Sequence, residues 1–211
     1  MKQIKVRFSA GKLSLEGVLS IPEGSGPFPA VIVCHPHPLY GGSMDNNVVH
    51  ALSEALVQAS VISFKFNFRG VGQSEGSFSH GIGEQEDVAA AISFLTRINE
   101  VDPRRIGLVG YSAGAAFALP VGCNEPRIRA LAAVSPPLPM CDFAFIKDCA
   151  KPKLFVLGSK DSLISLPEFQ QFCRSLLEPN QCAIVEGADH FWWGYESSLA
   201  SVVVAFFNRT L

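Results

Sequence analysis

The sequence predicts one α/β domain, residues 1–211, built on a mostly parallel, doubly wound sheet of about eight strands. Three observations carry this. Eight strand-like runs recur along the chain, several of them are continuously apolar, and after residue 30 they alternate with segments of helical periodicity. A strand that is apolar on both faces is covered on both, which is what helices packed on a parallel sheet provide. The composition, 48% hydrophobic and 17% charged, excludes a disordered chain. With 17 Lys and Arg against 19 Asp and Glu, the net charge of −2 leaves no cationic excess for a phosphate backbone, so no nucleic-acid partner is expected.

In chain order, Ile4 to Phe8 and Leu13 to Ile21 form an antiparallel hairpin at one edge. Ala30 to Cys34 is an unbroken apolar strand, followed after the Gly41-Gly42 turn by Val49, Leu52, Ser53 and Leu56 at helical spacing. Val61 to Phe68 is the next strand. From Glu84 to Ile98, the positions Val88, Ala91, Ile92, Leu95 and Ile98 mark one helical face. Glu84, Glu86 and Asp87 suit the positive amino end of that helix, and Asp102-Pro103 stops it. Ile106 to Val109 is a short strand, and Ala113 to Leu119 a helix of small residues. Ala130 to Val134, Lys153 to Leu157 and Cys182 to Val185 complete the strands, and Leu199, Val202, Val203 and Phe206 mark the last helix. No repeat or low-complexity linker divides the chain.

Met1 to Arg7 alternates charged and apolar residues without the apolar run of a signal peptide, so a cytoplasmic protein is expected. The longest apolar runs, Val202 to Phe207 and Ala30 to Cys34, fall far short of the roughly 20 residues that cross a bilayer, and no membrane partner is expected. The cysteines, Cys34, Cys123, Cys141, Cys149, Cys173 and Cys182, contain no Cys-x-x-Cys pair and read as reduced, mostly buried thiols.

Chemistry enters with Gly-x-Ser-x-Gly, which occurs as Gly110-Tyr111-Ser112-Ala113-Gly114 and as Gly72-Gln73-Ser74-Glu75-Gly76. A nucleophile elbow is a sharp turn from a buried strand into a helix, and only Ser112 has a strand before it and a helix after it. Ser74 precedes a Gly- and Ser-rich loop and reads as a turn residue. A serine hydroxyl needs a base to take its proton and an acid to orient that base. His190 lies after the last strand, and Asp161 follows Leu154 to Lys160, a strand running into a turn. Together they give the chain order Ser112, Asp161, His190. Asp142 and Asp148 have no strand ahead of them, and Asp189 is too close along the chain to pair across the His190 ring.

These residues resemble an α/β-hydrolase, specifically the small lidless serine hydrolases of the dienelactone hydrolase and acyl-peptidase branches. Asn67 to Gly76 resembles that superfamily's Arg-Gly-x-Gly-x-Ser-x-Gly turn, which accounts for the Ser74 string. Cys34-His35-Pro36-His37-Pro38-Leu39-Tyr40-Gly41-Gly42 falls where the superfamily has its oxyanion loop, with prolines in place of the usual glycine. The resemblance implies one oxyanion donor at the N–H of Ala113 and a second within the loop of residues 37–42, where His37 or Tyr40 is expected; Pro36 and Pro38 have no N–H to give. His35 and His37 read as loop histidines, with no metal expected, and no cofactor is implied. Cys34 reads as a small buried hydrophobe and Arg69 as a tie within its own turn.

Only 18 residues separate Val134 from Lys153, where lidded relatives insert a cap, so no cap domain is expected. The pocket should be shallow, walled by Tyr40, Met44, Pro136, Leu138, Met140, Trp192 and Trp193, with Phe143 and Leu163 equally readable as core. The expectation is a serine hydrolase cleaving a small carboxylic ester or thioester through an acyl-enzyme on Ser112. A small-amide or peptide hydrolase and a non-catalytic binding protein are the alternatives. The expected partner is a small-molecule acyl substrate, and the expected assembly a monomer or homodimer.

Overall fold

A computed structural model describes residues 1–211. Eight strands form one sheet in the order β1-β2-β4-β3-β5-β6-β7-β8: β1 (Lys2–Ala10), β2 (Leu13–Ile21), β3 (Phe28–Cys34), β4 (Ile62–Phe66), β5 (Val101–Tyr111), β6 (Ile128–Val134), β7 (Lys153–Gly158) and β8 (Asn180–Val185). The β1-β2 and β2-β4 pairs are antiparallel and every other pair is parallel. The edge hairpin thus sits as its sequence pattern predicts.

Five helices cover the sheet: α1 (Asn47–Gln58), α2 (Ile82–Leu95), α3 (Ala113–Asn124), α4 (Leu166–Arg174) and α5 (Glu196–Thr210). Alternate residues of β3 serve opposite sides, as the pleat requires. Ala30, Ile32 and Cys34 join the core under α2, α3 and α4, whereas Val31 and Val33 join the core under α1 and α5. The two faces are what the continuous apolar runs foretold.

Several boundaries differ. α2 ends at Leu95, and Asp102-Pro103 lies inside β5 instead of ending a helix. A register shift between Phe28 and Ala30 in the β3-β5 pairing accompanies Pro103, which has no N–H for the ladder. α3 runs on to Asn124 through Pro120, and α4, rich in charged and amide residues, was not foreseen. The expectation of six reduced cysteines fails at one pair: Cys173 of α4 and Cys182 of β8 form a disulfide. The chain turns back between them and brings their Cα atoms to 6.2 Å. Cys34 and Cys149 are buried free thiols, Cys123 is half-buried and Cys141 is exposed.

The connection from Val134 to Lys153 holds only a short 3-10 turn, Ala144–Asp148, and no cap. No helix is long and apolar enough to cross a membrane. β3, β5, β6, β7 and β8 run parallel and end along one carboxyl edge, where the loops after β3, β5, β7 and β8 carry the candidate site residues.

Candidate active site

β5 passes into α3 through Ser112, whose φ of 52° and ψ of −122° lie in a region L-residues rarely adopt. Such a conformation costs about 1–3 kcal/mol and persists only where packing over-determines it. The packing is visible in the flanking glycines. A Cβ on Gly110 would lie 2.5 Å from the Ala115 main chain, and one on Gly114 would lie 2.4 Å from the carbonyl oxygen of His35. Both glycines let strand, helix and the end of β3 close together while Ser112 stands proud.

The loop after β8 brings His190 to that serine: Nε2 lies 3.1 Å from Ser112 Oγ. On the other side of the ring, Nδ1 lies 2.8 Å from Asp161 Oδ2. With Nδ1 facing a carboxylate, the proton belongs there and Nε2 is left as the acceptor toward the serine. Asp161 is held in turn, since its Oδ1 accepts the N–H groups of Leu163 at 2.9 Å and Ile164 at 3.1 Å. Its carboxyl is fully buried and His190 nearly so, although the loops around them are open.

Asp189, next to His190, serves the loop alone: its Oδ1 accepts the N–H groups of Phe191 and Trp192. That turn throws consecutive side chains apart. Trp192, at a φ of 64°, dives into the core beneath α5 with no exposed surface, and its indole N–H donates to Ser135 Oγ at 3.2 Å. Trp192 is therefore corrected from pocket wall to core residue. Trp193 points the other way and is 69% exposed.

Two residues anchoring this loop escaped sequence reasoning. Tyr111 donates its hydroxyl hydrogen to the carbonyl of His190 at 2.7 Å, and Asn47 Nδ2 donates to the carbonyl of Phe191 at 3.0 Å. Burial, with the carboxylates of Asp161 and Asp189 nearby, pushes the Tyr111 phenol up, so it stays a donor. The adjacency of Tyr111 to Ser112 was the only available signal. Phe191 is also newly placed, its exposed ring 5.7 Å from that of His190.

In the loop after β3, His35 is buried, with Nδ1 2.7 Å from the carbonyl of Pro36 and Nε2 accepting the N–H of Phe68 at 3.1 Å. Both nitrogens are used by a neutral ring, and burial, against the Pro36 hydrogen bond, lowers its pKa to about 4. His37 accepts the N–H of Leu39 on Nδ1, and its own N–H is engaged by no protein acceptor. Tyr40 differs: its N–H donates to the His37 carbonyl at 3.1 Å, because the chain closes a 3-10 turn there. Tyr40 is thereby removed as an oxyanion donor, and its side chain is 87% exposed. The N–H of Ala113, at the first position of α3, has no partner within the helix.

Met140 is exposed, Met44 and Leu138 half-buried, and Pro136 and Phe143 buried. Phe143 packs with Phe145 and Phe172 and belongs to the core. Arg69 is committed to Asp87 and Glu86 of α2, and Ser74 bonds Asn67 and Glu16 as a turn residue. Phe78 and Phe117 form an aromatic wall reaching His37, with the Phe78 and His37 ring centres 4.9 Å apart.

A twisted sheet carrying a serine on a strained strand-to-helix turn, a histidine and an aspartate, with no cap, is the architecture of an α/β serine hydrolase without a lid. Residues 11–164 match the X-Pro dipeptidyl-peptidase (S15) family, and the chain belongs to that family. It is 34% identical over 172 residues to an uncharacterized protein of Rickettsia prowazekii, covering 78% of this chain and 72% of that one. A shorter stretch of 94 residues, 43% of this chain and 31% of the relative, is 36% identical to a thiohydrolase of Arthrinium phaeospermum. An α/β serine hydrolase homologue from Coxiella burnetii superposes with a TM-score of 0.86 at 32% identity, over 97% of this chain and 96% of its own. A serine hydrolase without lid from Xanthomonas campestris superposes with a TM-score of 0.87 at 27% identity, over 99% and 94%.

Proposed function

We propose that this protein hydrolyses a small apolar carboxylic ester or thioester through an acyl-enzyme on Ser112. The observation that carries the reading is the hydrogen-bonded line from Ser112 through His190 to Asp161, at 3.1 Å and 2.8 Å. His190 Nε2 takes the hydroxyl proton as Ser112 Oγ attacks the carbonyl carbon, and the imidazolium returns that proton to the departing oxygen or sulfur. A water then repeats the sequence on the acyl-enzyme. Asp161 keeps the proton on Nδ1 and stabilises the charged ring, and its second oxygen is tied to two N–H groups so that it cannot swing away. The N–H groups of Ala113 and His37 are the donors for the oxyanion, each worth about 3–4 kcal/mol of barrier. No cofactor takes part.

The apolar character of the substrate is argued from the rim. Leu39, Tyr40, Met140, Leu163, Phe191 and Trp193 all expose apolar surface on loops that leave the carboxyl edge. Exposed apolar groups gathered at one site favour a ligand that covers them. Thioesters are included because of the thiohydrolase relative. Membership of the X-Pro dipeptidyl-peptidase family favours a second reading, a small amide or peptide substrate on the same three residues.

The test is peptide mapping by mass spectrometry after exposure to a fluorophosphonate, followed by a panel of short-chain esters, thioesters and amides. A single adduct on Ser112, lost in His190→Ala, is expected. An adduct on another serine, or none on the folded protein, overturns the proposal, and preferential amide turnover selects the second reading.

A further inference from the structure

Tyr111 joins the nucleophile's strand to the histidine loop by a route of its own. It ends β5, one residue before Ser112, it is buried, and its hydroxyl donates to the main-chain carbonyl of His190 at 2.7 Å. Between residues 110–114 and the loop of residues 186–195 there is one other hydrogen bond, the 3.1 Å contact of Ser112 Oγ with His190 Nε2. The other ties of that loop lead elsewhere. The Lys160 N–H donates to the Ala188 carbonyl and the Gly187 N–H to Ser159 Oγ, both at 2.9 Å, which fixes the loop to the turn after β7. Trp192 donates to Ser135 just after β6, and Asn47 of α1 donates to the Phe191 carbonyl. Asp161, which holds His190 Nδ1, also belongs to the turn after β7.

The two routes differ in how long they last. On the acyl-enzyme reading, Ser112 Oγ becomes an ester oxygen, which has no proton to donate to Nε2. The Ser112–His190 bond is therefore lost in the one state where His190 must hold a water against the acyl carbon. Asp161 still aims the ring, but from β7. What then ties the base to the strand that carries the acyl group is the Tyr111 hydroxyl, at the end of a rigid ring with only two rotatable bonds behind it. Burial, with the carboxylates of Asp161 and Asp189 nearby, pushes that phenol up, so the proton that makes the bond stays in place.

We propose that Tyr111 is a positioning residue for deacylation: its hydroxyl keeps His190 at the distance from the acyl carbon at which Nε2 can take a proton from the attacking water. The proposal rests on Ser112 forming an acyl-enzyme. In the step concerned, the water oxygen bonds to the acyl carbon while one of its protons passes to Nε2. The bond from the acyl carbon to Oγ then breaks, the imidazolium returns the proton to Oγ, and the carboxylic acid departs. Acylation leans on Tyr111 much less, because Ser112 Oγ itself bonds Nε2 until its proton is transferred.

The test measures the two steps separately on the whole protein with p-nitrophenyl acetate. The burst of p-nitrophenol reports acylation, and the decay of acetyl-Ser112 by intact mass, after excess reagent is removed, reports deacylation. In Tyr111→Phe, which keeps the ring and its packing, the burst should slow by no more than about 3-fold while the decay slows by about 10- to 100-fold. KM should fall with kcat and leave kcat/KM near the parent value, since acetyl-enzyme accumulates. Asn47→Ala, which frees the same loop at Phe191, should leave the ratio of the two rate constants as in the parent. Melting curves establish that both variants are folded. Equal slowing of both steps in Tyr111→Phe, or decay at the parent rate, overturns the proposal and leaves Ser112 as the nucleophile. Failure of the parent protein to become acetylated on Ser112 overturns the acyl-enzyme reading and the role of Tyr111 with it.

Discussion

The triad and the rim that surrounds it lie within one set of loops yet are built on opposite principles. Ser112, Asp161 and His190 each sit at the end of a strand or one turn beyond it, and their polar atoms are satisfied by partners that are buried in turn. The rim residues Tyr40, Met140, Phe191 and Trp193 stand in water on short loops with little behind them. On the proposed reading, the contrast teaches that the chemistry is held by the sheet while the choice of substrate falls to side chains that can change at small cost to folding.

The sharpest way to break the comparison is Ser112→Ala. Ester turnover should fall by about 10⁴-fold or more, with stability within about 1 kcal/mol of the parent, because the hydroxyl's one partner is the exchangeable imidazole contact. Retention of activity would remove the triad from the chemistry. Asp161→Asn comes next, with a loss of about 10³- to 10⁴-fold: the amide can still accept the Leu163 and Ile164 N–H groups but presents an N–H to Nδ1 and forces the wrong tautomer. A steady-state assay alongside a melting curve separates this from misfolding.

Neighbouring tryptophans sharpen the comparison without touching catalysis. Trp192→Ala should destabilise by about 3–5 kcal/mol in urea, whereas Trp193→Ala should change stability by no more than about 0.5 kcal/mol. Equal effects would mean that the loop after β8 is not divided into a core side and a solvent side.

His35 supplies a pH dependence of comparable or smaller size. The unfolded chain takes a proton on this ring near pH 6.5, but the native ring refuses it until about pH 4, because burial disfavours the charge. Its contribution is therefore full above pH 6.5, falls as the pH drops toward 4 and levels off below that, a span of about 3 kcal/mol. Urea midpoints across that range should fall with pH, and His35→Gln should flatten the slope. The smallest effects belong to the rim: Phe191→Ala and Tyr40→Ala should lower kcat/KM by about 3- to 10-fold through KM alone. A loss confined to kcat would place either residue in the reaction itself.

Much of this was legible in the sequence because it is written in local patterns. Continuous apolar runs announce strands covered on both faces, the glycines at 110 and 114 announce a crowded turn, and a strand ahead of each of Ser112 and Asp161 announces which face of the sheet they reach. Loop after loop, the misreadings came from another cause. Trp192 and Trp193 are indistinguishable as letters, and they part because Trp192 takes a φ of 64° in a turn where Asp189 Oδ1 accepts the Phe191 and Trp192 N–H groups, which leaves one ring in the core and the other in solvent. Tyr40 lost its donor to a 3-10 turn closed on His37, and Cys173 met Cys182 because α4 folds back onto β8.

Local patterns carry the fold class, the chain order of the eight strands and of four of the five helices, and the serine, aspartate and histidine that meet, since each depends on neighbours a few positions away. Which loop N–H groups stay unpaired, which aromatic rings stand in solvent and which cysteines meet one another are settled by the assembled fold alone. Those outcomes depend on where separate segments arrive in space. Burial and hydrogen-bond satisfaction are properties of the assembled chain, and no single segment carries them.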